Sequence, residues 1–246
     1  MTSSLTRFQL SDVTRLGAAV RQLGASPAPS TEAMAQRLVR LLYDELVEES
    51  GERSCVLARL YVTTSFGRLD QELQAFGTRL AGDAHLSDST RCMTLLATAG
   101  ELPEWNDRRR SAGHQTIPLP SEEAIRASPM LSQLITQLGL DLSAVVQPDP
   151  TLVLELEQRT YNVFFVPRAA GSTHIPAQEF VNRWGVESVL GFGGILPGGD
   201  VFAVLLFTRV AVPRSAAEMF RNIALNAKLA LLACTELPVL TGGSHS

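Results

Sequence analysis

Two apolar runs, Val186 to Leu196 and Val201 to Phe207, flank the segment Pro197-Gly198-Gly199-Asp200. Pro197 pre-sets φ for the second position of a turn, and Gly198 supplies the positive φ that a type II turn needs next. Apolar runs on both sides of such a turn predict a β-hairpin. In its second arm Val201, Ala203, Leu205 and Phe207 point one way, and Phe202, Val204 and Leu206 the other. Both faces are apolar, so the hairpin belongs in a sheet covered on both sides. Gly191, Gly193 and Gly194 in the first arm predict a backbone that a helix, a loop or a small ligand approaches closely.

The pattern elsewhere adds helices at both ends and strands between. Val13, Leu16, Val20 and Leu23 have helical spacing in a polar lead, and Ala25-Ser-Pro-Ala-Pro-Ser30 reads as a linker. Met34, Leu38, Leu41, Leu42 and Leu46 form one stripe of a helix opened by Thr31 as N-cap and closed near Gly51. Ser54–Thr64 alternates as a strand, with Cys55, Leu57, Arg59 and Tyr61 opposite Val56, Ala58, Leu60 and Val62. Leu69–Ala81 is helical, Cys92–Thr98 a strand and 104–117 a polar loop. Ser121 opens a helix, Met130–Leu138 forms another, and 141–153 stays undecided because Pro148 and Pro150 oppose regular structure. Tyr161–Val166 is a strand and Ala177–Arg183 a helical turn. The last helix runs from about Arg214 to Thr235, with Phe220, Ile223, Ala227 and Leu231 as its stripe. The fold class is α/β in the α+β sense. One antiparallel-rich sheet of five or six strands carries the terminal helices on one face and a loop- and helix-covered pocket on the other. The domain spans 31–236, between a lead at 1–30 and a tail at 237–246.

Composition narrows the function. The chain has 246 residues and a formal charge of −4. That balance argues against a nucleic-acid footprint. The run Arg108-Arg109-Arg110 reads as a solvated face, with anion binding beside Trp105 and Asp107 as the alternative. Cys55, Cys92 and Cys234 are far apart and fit a reducing compartment. No signal peptide or membrane-spanning run is found, so a cytoplasmic protein is expected.

The segments Ile175-Pro-Ala-Gln-Glu-Phe180, Ser188 to Ala203, Leu206-Phe-Thr-Arg209, Val212-Pro-Arg214 and Ala224 to Leu231 resemble the GAF domain, a PAS-like ligand-sensing module. The likeness extends to Trp105–Arg110, Gly113-His-Gln115 and Ile117–Pro120, and covers roughly residues 30 to 235. It is nearest to a variant found in bacterial multidomain histidine kinases. The resemblance implies signal transduction in a two-component system, a small-molecule ligand and a homodimer. No phosphoacceptor, receiver or cyclase segment follows the last helix, so output is expected through dimer geometry or a partner such as a histidine kinase.

Candidate chemistry is sparse. His85, His114, His174 and His245 form no metal-ligand spacing, so no metal site is predicted, and the sequence names no particular cofactor. Gly191-Phe-Gly-Gly194 is not a phosphate loop, since no Lys-Ser/Thr follows. No Gly-x-Ser-x-Gly or other nucleophile set stands out, so the reading is not an enzyme. The candidate ligand positions are His174, Glu179, Trp184, Phe192 and Gly193. Asp200 is expected to stabilise the hairpin turn. Phe220, Ile223, Ala227 and Leu231 are the candidate dimer residues, with packing on the domain's own sheet as the alternative. Three functions remain open: a ligand sensor, an unliganded adaptor whose pocket is filled by side chains, and a small-molecule enzyme on the same fold.

Overall fold

The computed structural model describes residues 2–111, 113–148 and 162–241. Six strands, β1 (Cys55–Ser65), β2 (Arg91–Gly100), β3 (Thr116–Pro118), β4 (Val163–Val166), β5 (Ser188–Ile195) and β6 (Val201–Thr208), form one sheet. Their order is β3–β2–β1–β6–β5–β4, and every neighbouring pair is antiparallel. The Pro197 hairpin supplies β5 and β6. The Gly199 N–H donates to the Leu196 carbonyl at 3.0 Å, and Gly198 and Gly199 both hold positive φ, +92° and +85°. That backbone is open to glycine at little cost.

The hairpin's two apolar faces are both used. Phe202, Val204 and Leu206 join the core shared with α1 (Leu10–Gly24), α2 (Thr31–Glu45) and α8 (Arg214–Leu232). Val201, Ala203, Leu205 and Phe207 join a second core. That core is roofed by α4 (Glu122–Arg126), α5 (Pro129–Gln137), α6 (Leu142–Val146) and α7 (Gln178–Trp184). The sheet is thus the middle layer of three, with the terminal helices on one face, as the alternation of the hairpin predicted. A further helix, α3 (Gln71–Ala81), follows β1 and passes beside β3, where Gly77 lies against Thr116 and Pro118.

Several local expectations change. Ser30, not Thr31, caps α2: its hydroxyl accepts from the Ala33 N–H at 3.0 Å. The polar stretch 104–117 begins inside a 3-10 turn, Pro103–Asn106, and ends in β3. β1 is irregular between Cys55 and Leu57, so Cys55 falls on the helical side and Val56 on the other, reversing the alternation at that end. The start of the Tyr161 strand, the end of the 141–153 stretch and His245 lie outside the described residues.

The boundaries at 30 and 237 divide what the structure packs together. Leu5, Phe8, Val13, Leu16 and Val20 are buried in the core of the helical face. Phe8 stacks on Phe220 with ring centroids 5.0 Å apart. A Cβ on Gly24 would stand 3.1 Å from the Ala230 Cα, so α1 and α8 touch backbone to backbone. At the other end, the Pro238 and Val239 carbonyls accept from the first N–H groups of α2, at 3.0 and 2.9 Å, and Leu240 is buried. The proline-rich link after the lead folds back, so that α1 packs against α8 in the same core.

Phe220, Ile223, Ala227 and Leu231 are buried in the chain's own core, and Phe220 reaches Phe192 of β5 at 5.7 Å. They are spent on the sheet and α1 and do not form a free face. Leu225 and Leu229, off that stripe, are nearly half exposed.

Candidate functional site

A cavity of about 330 Å³ lies between the sheet and its second helical layer. Its floor is made by Leu57, Arg59 and Tyr61 of β1, Met93 of β2, and Leu205 and Phe207 of β6. The period-2 geometry of a strand brings these positions to one side. Met130, Leu131 and Leu134 of α5 form one wall, and Ile175 to Ala177 with Phe180 form another. Trp105 closes the end. Its ring lies 5.8 Å from Phe180 and 4.8 Å from Trp184, both edge-on, and Phe180 stands at 90° to Phe207, 5.5 Å away. Both tryptophans of the chain therefore belong to this cluster.

Trp105 is held where it is by backbone chemistry. Its six-membered ring would lie 2.8 Å from a Cβ on Gly100, so the strand end must be glycine for the indole to cover it. Asn106 fastens the same turn: its amide accepts from the Gly100 N–H at 3.2 Å and donates to the carbonyls of Gly100 and Leu102, at 3.0 and 2.9 Å. Gln178 does the equivalent job across the cavity. Its carbonyl oxygen accepts from the Gly171 N–H at 2.8 Å, and its NH₂ donates to Ala169, Ser172 and Ile175, the last at 2.7 Å. One side chain thus ties the loop that carries Ile175 to the start of α7.

The polar groups of the cavity gather around Arg59. Its Nη2 donates to the Ser111 hydroxyl at 2.9 Å and its Nη1 to the Tyr61 hydroxyl at 3.3 Å. His114 lines the cavity and is exposed to solvent. Desolvation of its ring, helped by the Arg59 charge, lowers its pKa below the ordinary histidine value. Its neutral imidazole can both donate and accept. Ser128 lines the cavity at the N-cap of α5, and its side chain does not cap that helix. The described lining residues contain one guanidinium and no carboxylate. An apolar cavity with a few converging polar groups is the usual form of a small-molecule site. A charged groove of about 610 Å³ near Tyr43 has a different character, since its ions pair among themselves: Arg40 and Arg53 with Asp44, and Arg209 with Glu101.

With this geometry in view, no protein-family model matches the chain, and no curated protein matches it. The antiparallel sheet with its flanking helices is consistent with a GAF/PAS-like fold.

The five candidate ligand positions do not converge. Trp184 packs behind Trp105, in the second rank of the cavity wall. His174 is half-buried next to the lining residue Ile175, and Glu179 is exposed on α7. Phe192 faces the other way, into the core with α8, because it is one residue out of phase with the cavity side of β5. Gly193 is on the cavity side but already covered: a Cβ there would meet the Phe202 carbonyl at 2.2 Å and Leu138 at 3.2 Å. Phe164 and Leu205 likewise fill the space over Gly191. The empty volume lies over β1, β2 and β6 instead. Sequence reasoning passed over Arg59, Gln178 and Asn106. For Arg59 a signal existed, an arginine in phase with Leu57 and Tyr61 on a strand shielded on both faces.

Outside the cavity, several charged groups tie elements of the fold together. Arg108 is buried and pairs with Glu32 at 2.7 Å, which corrects the solvated reading of the basic run for that residue. Asp200 pairs with Arg91 at 2.9 Å and holds the hairpin turn to β2. Burial pushes the Cys55 thiol up to about 12 and Cys92 up to about 11, which leaves both unreactive near neutral pH. Among the described residues, no cluster of three or more His, Cys, Asp or Glu side chains is placed to hold a metal ion. Among them, too, no helix is long and apolar enough to cross a membrane.

Proposed function

We propose that the chain is a GAF-like sensory module of the bacterial signalling type, which binds a small molecule in the cavity above β1, β2 and β6. The observation that carries this reading is the cavity itself: set between two layers, mainly apolar, and furnished with Arg59, Tyr61, His114 and Ser128. Its role is binding, not turnover. Occupancy is passed through the sheet to the helical face, since Leu60, Val204 and Leu206 alternate with the floor residues and touch the core of α2 and α8. A ligand acts this way only if it favours one packing of those layers over another. The module works in the cytoplasm, as a homodimer or with a partner kinase. On α8 the exposed apolar surface for such contacts is the Leu225 and Leu229 pair.

Native mass spectrometry of the purified chain tests the reading, because it reports a retained ligand and the subunit count together. One small molecule per chain is expected, and it should be lost in Ala177→Trp, which places a bulky ring at an exposed position of the cavity lining. A chain that retains nothing, and whose tryptophan emission no small metabolite in a broad panel alters, favours the adaptor reading. A bound molecule released chemically altered points to an enzyme.

A further inference from the structure

Taking the cavity as a ligand site, we infer that its ligand is an uncharged aromatic compound of one or two rings, carrying a hydrogen-bond acceptor that the Tyr61 hydroxyl binds. The body of the ligand is set by the walls. Met93, Leu131 and Leu205 offer aliphatic surface, and Trp105, Phe180 and Phe207 offer rings. Phe180 meets Trp105 at 66° with centroids 5.8 Å apart, and meets Phe207 at 90° and 5.5 Å. Such a cluster favours a further ring over a saturated chain, because the electron-poor edge of one ring lies well against the electron-rich face of the next. A volume of about 330 Å³ is at the small end for ligand sites and admits one such body.

The acceptor is set by Tyr61, which is only 6% exposed and belongs to the cavity floor. Its oxygen accepts from the Arg59 Nη1 at 3.3 Å, which leaves the phenolic proton for a second partner. Among the described residues no oxygen takes that proton. A buried donor without an acceptor costs free energy, which a ligand carbonyl, hydroxyl or ring nitrogen recovers. On the facing layer Ser128 offers a second hydroxyl, since its side chain does not cap α5.

The lack of charge follows from what surrounds that hydroxyl. The described lining residues hold no carboxylate to meet a cation. Arg59 is already engaged, by Ser111 at 2.9 Å, by Tyr61 and by a further interaction, so the ligand need not supply it with a partner. A charged group pressed against the apolar walls would lose its hydration and gain no dedicated counterpart.

Equilibrium dialysis of the full chain against four compounds tests the assignment. 2-Acetylnaphthalene carries a ketone oxygen on two aromatic rings. 2-Ethylnaphthalene is nearly the same body without the acceptor, and 2-naphthoate bears an anion in its place. Adamantyl methyl ketone keeps the acceptor on a saturated body. The naphthyl ketone should bind at one site per chain, roughly fivefold or more tighter than the hydrocarbon, the gain expected from one hydrogen bond. It should also bind severalfold tighter than 2-naphthoate and the adamantyl ketone. Tyr61→Phe should bring the naphthyl ketone down to the level of the hydrocarbon and leave the hydrocarbon unchanged, and Ala177→Trp should weaken both. The assignment is overturned, with the cavity left as a site, if the hydrocarbon, 2-naphthoate or the adamantyl ketone binds as tightly as the naphthyl ketone. It is overturned equally if the preference for the ketone survives Tyr61→Phe. Failure of all four to bind, or binding that Ala177→Trp does not weaken, overturns the site as well. The wild-type comparison stands even if the Tyr61→Phe chain does not fold.

Discussion

Glu32 and Arg108 show how much a single pair carries. Arg108 is 5% exposed at its side chain, and Glu32 receives its Nε at 2.7 Å together with the N–H and hydroxyl of Thr241. Desolvation alone would raise the Glu32 pKa, but the hydrogen bonds from Arg108 and Thr241 together outweigh it, so the group is held below its ordinary 4.5. A carboxylate with a lowered folded pKa adds stability above its unfolded pKa, and that stability is lost as pH falls through the folded value. Glu32→Gln leaves the buried Arg108 with only the distant Asp70 carboxylate, 3.8 Å away, and the expected cost is about 3 kcal/mol at pH 7, read by chemical denaturation. The gap between the two proteins should narrow as the pH is taken below 4.5. A gap that stays constant into strong acid would remove the charge from the explanation. At this scale the sequence was least legible. The run Arg108-Arg109-Arg110 looks uniform, yet only the first is buried, because its partner comes from a helix 76 residues away. Arg59 was legible in principle, since its phase with Leu57 and Tyr61 could be counted, but phase alone does not show that a cavity stands over it.

Among elements, the hairpin was read correctly in both arms, because a Pro-Gly turn between apolar runs is a local signal that tertiary packing did not override. The helices of the terminal layer were legible for the same reason. What the elements do with their faces was less so. The α8 stripe could serve the chain's own core or a second copy, and only the placement of α1 and β5 settles that it serves the core. The loop from Ala169 to Ile175 has no periodicity, and its order depends on Gln178, whose four hydrogen bonds are invisible to pattern reading. Gln178→Ala should release that loop, with a stability loss of about 1–2 kcal/mol and faster amide exchange at Gly171. Binding in the cavity should weaken too, since Ile175 and Pro176 ride on the loop. Unchanged exchange at Gly171 would show that the loop is held by other means. Glu179→Gln, one residue along and exposed, is the control.

For the whole molecule, three layers place the cavity and the terminal helices on opposite sides of one sheet. The six-stranded order with short β3 and β4 at the margins was not legible, because β3 is three residues long inside a polar stretch. If the protein is a homodimer built through α8, its exposed leucines carry the contact. Leu225→Glu combined with Leu229→Glu should then convert dimer to monomer in sedimentation, with the melting temperature nearly unchanged because both side chains are already half in water. A dimer that survives the double change is built elsewhere. A wild-type chain that sediments as a monomer at high concentration removes the homodimer from the proposed function.

The way α2 is gripped has a practical consequence. Ser3 is bonded beside the C-terminal end of this helix, and residues 238–241 lie across its N-terminal end. The two attachment points are therefore separated by about one helix length, roughly 22 Å at 1.5 Å per residue. Dyes joined near these points would straddle the helical layer and leave the cavity mouth unobstructed. Their energy transfer would follow any sliding of that layer when a guest enters on the far side.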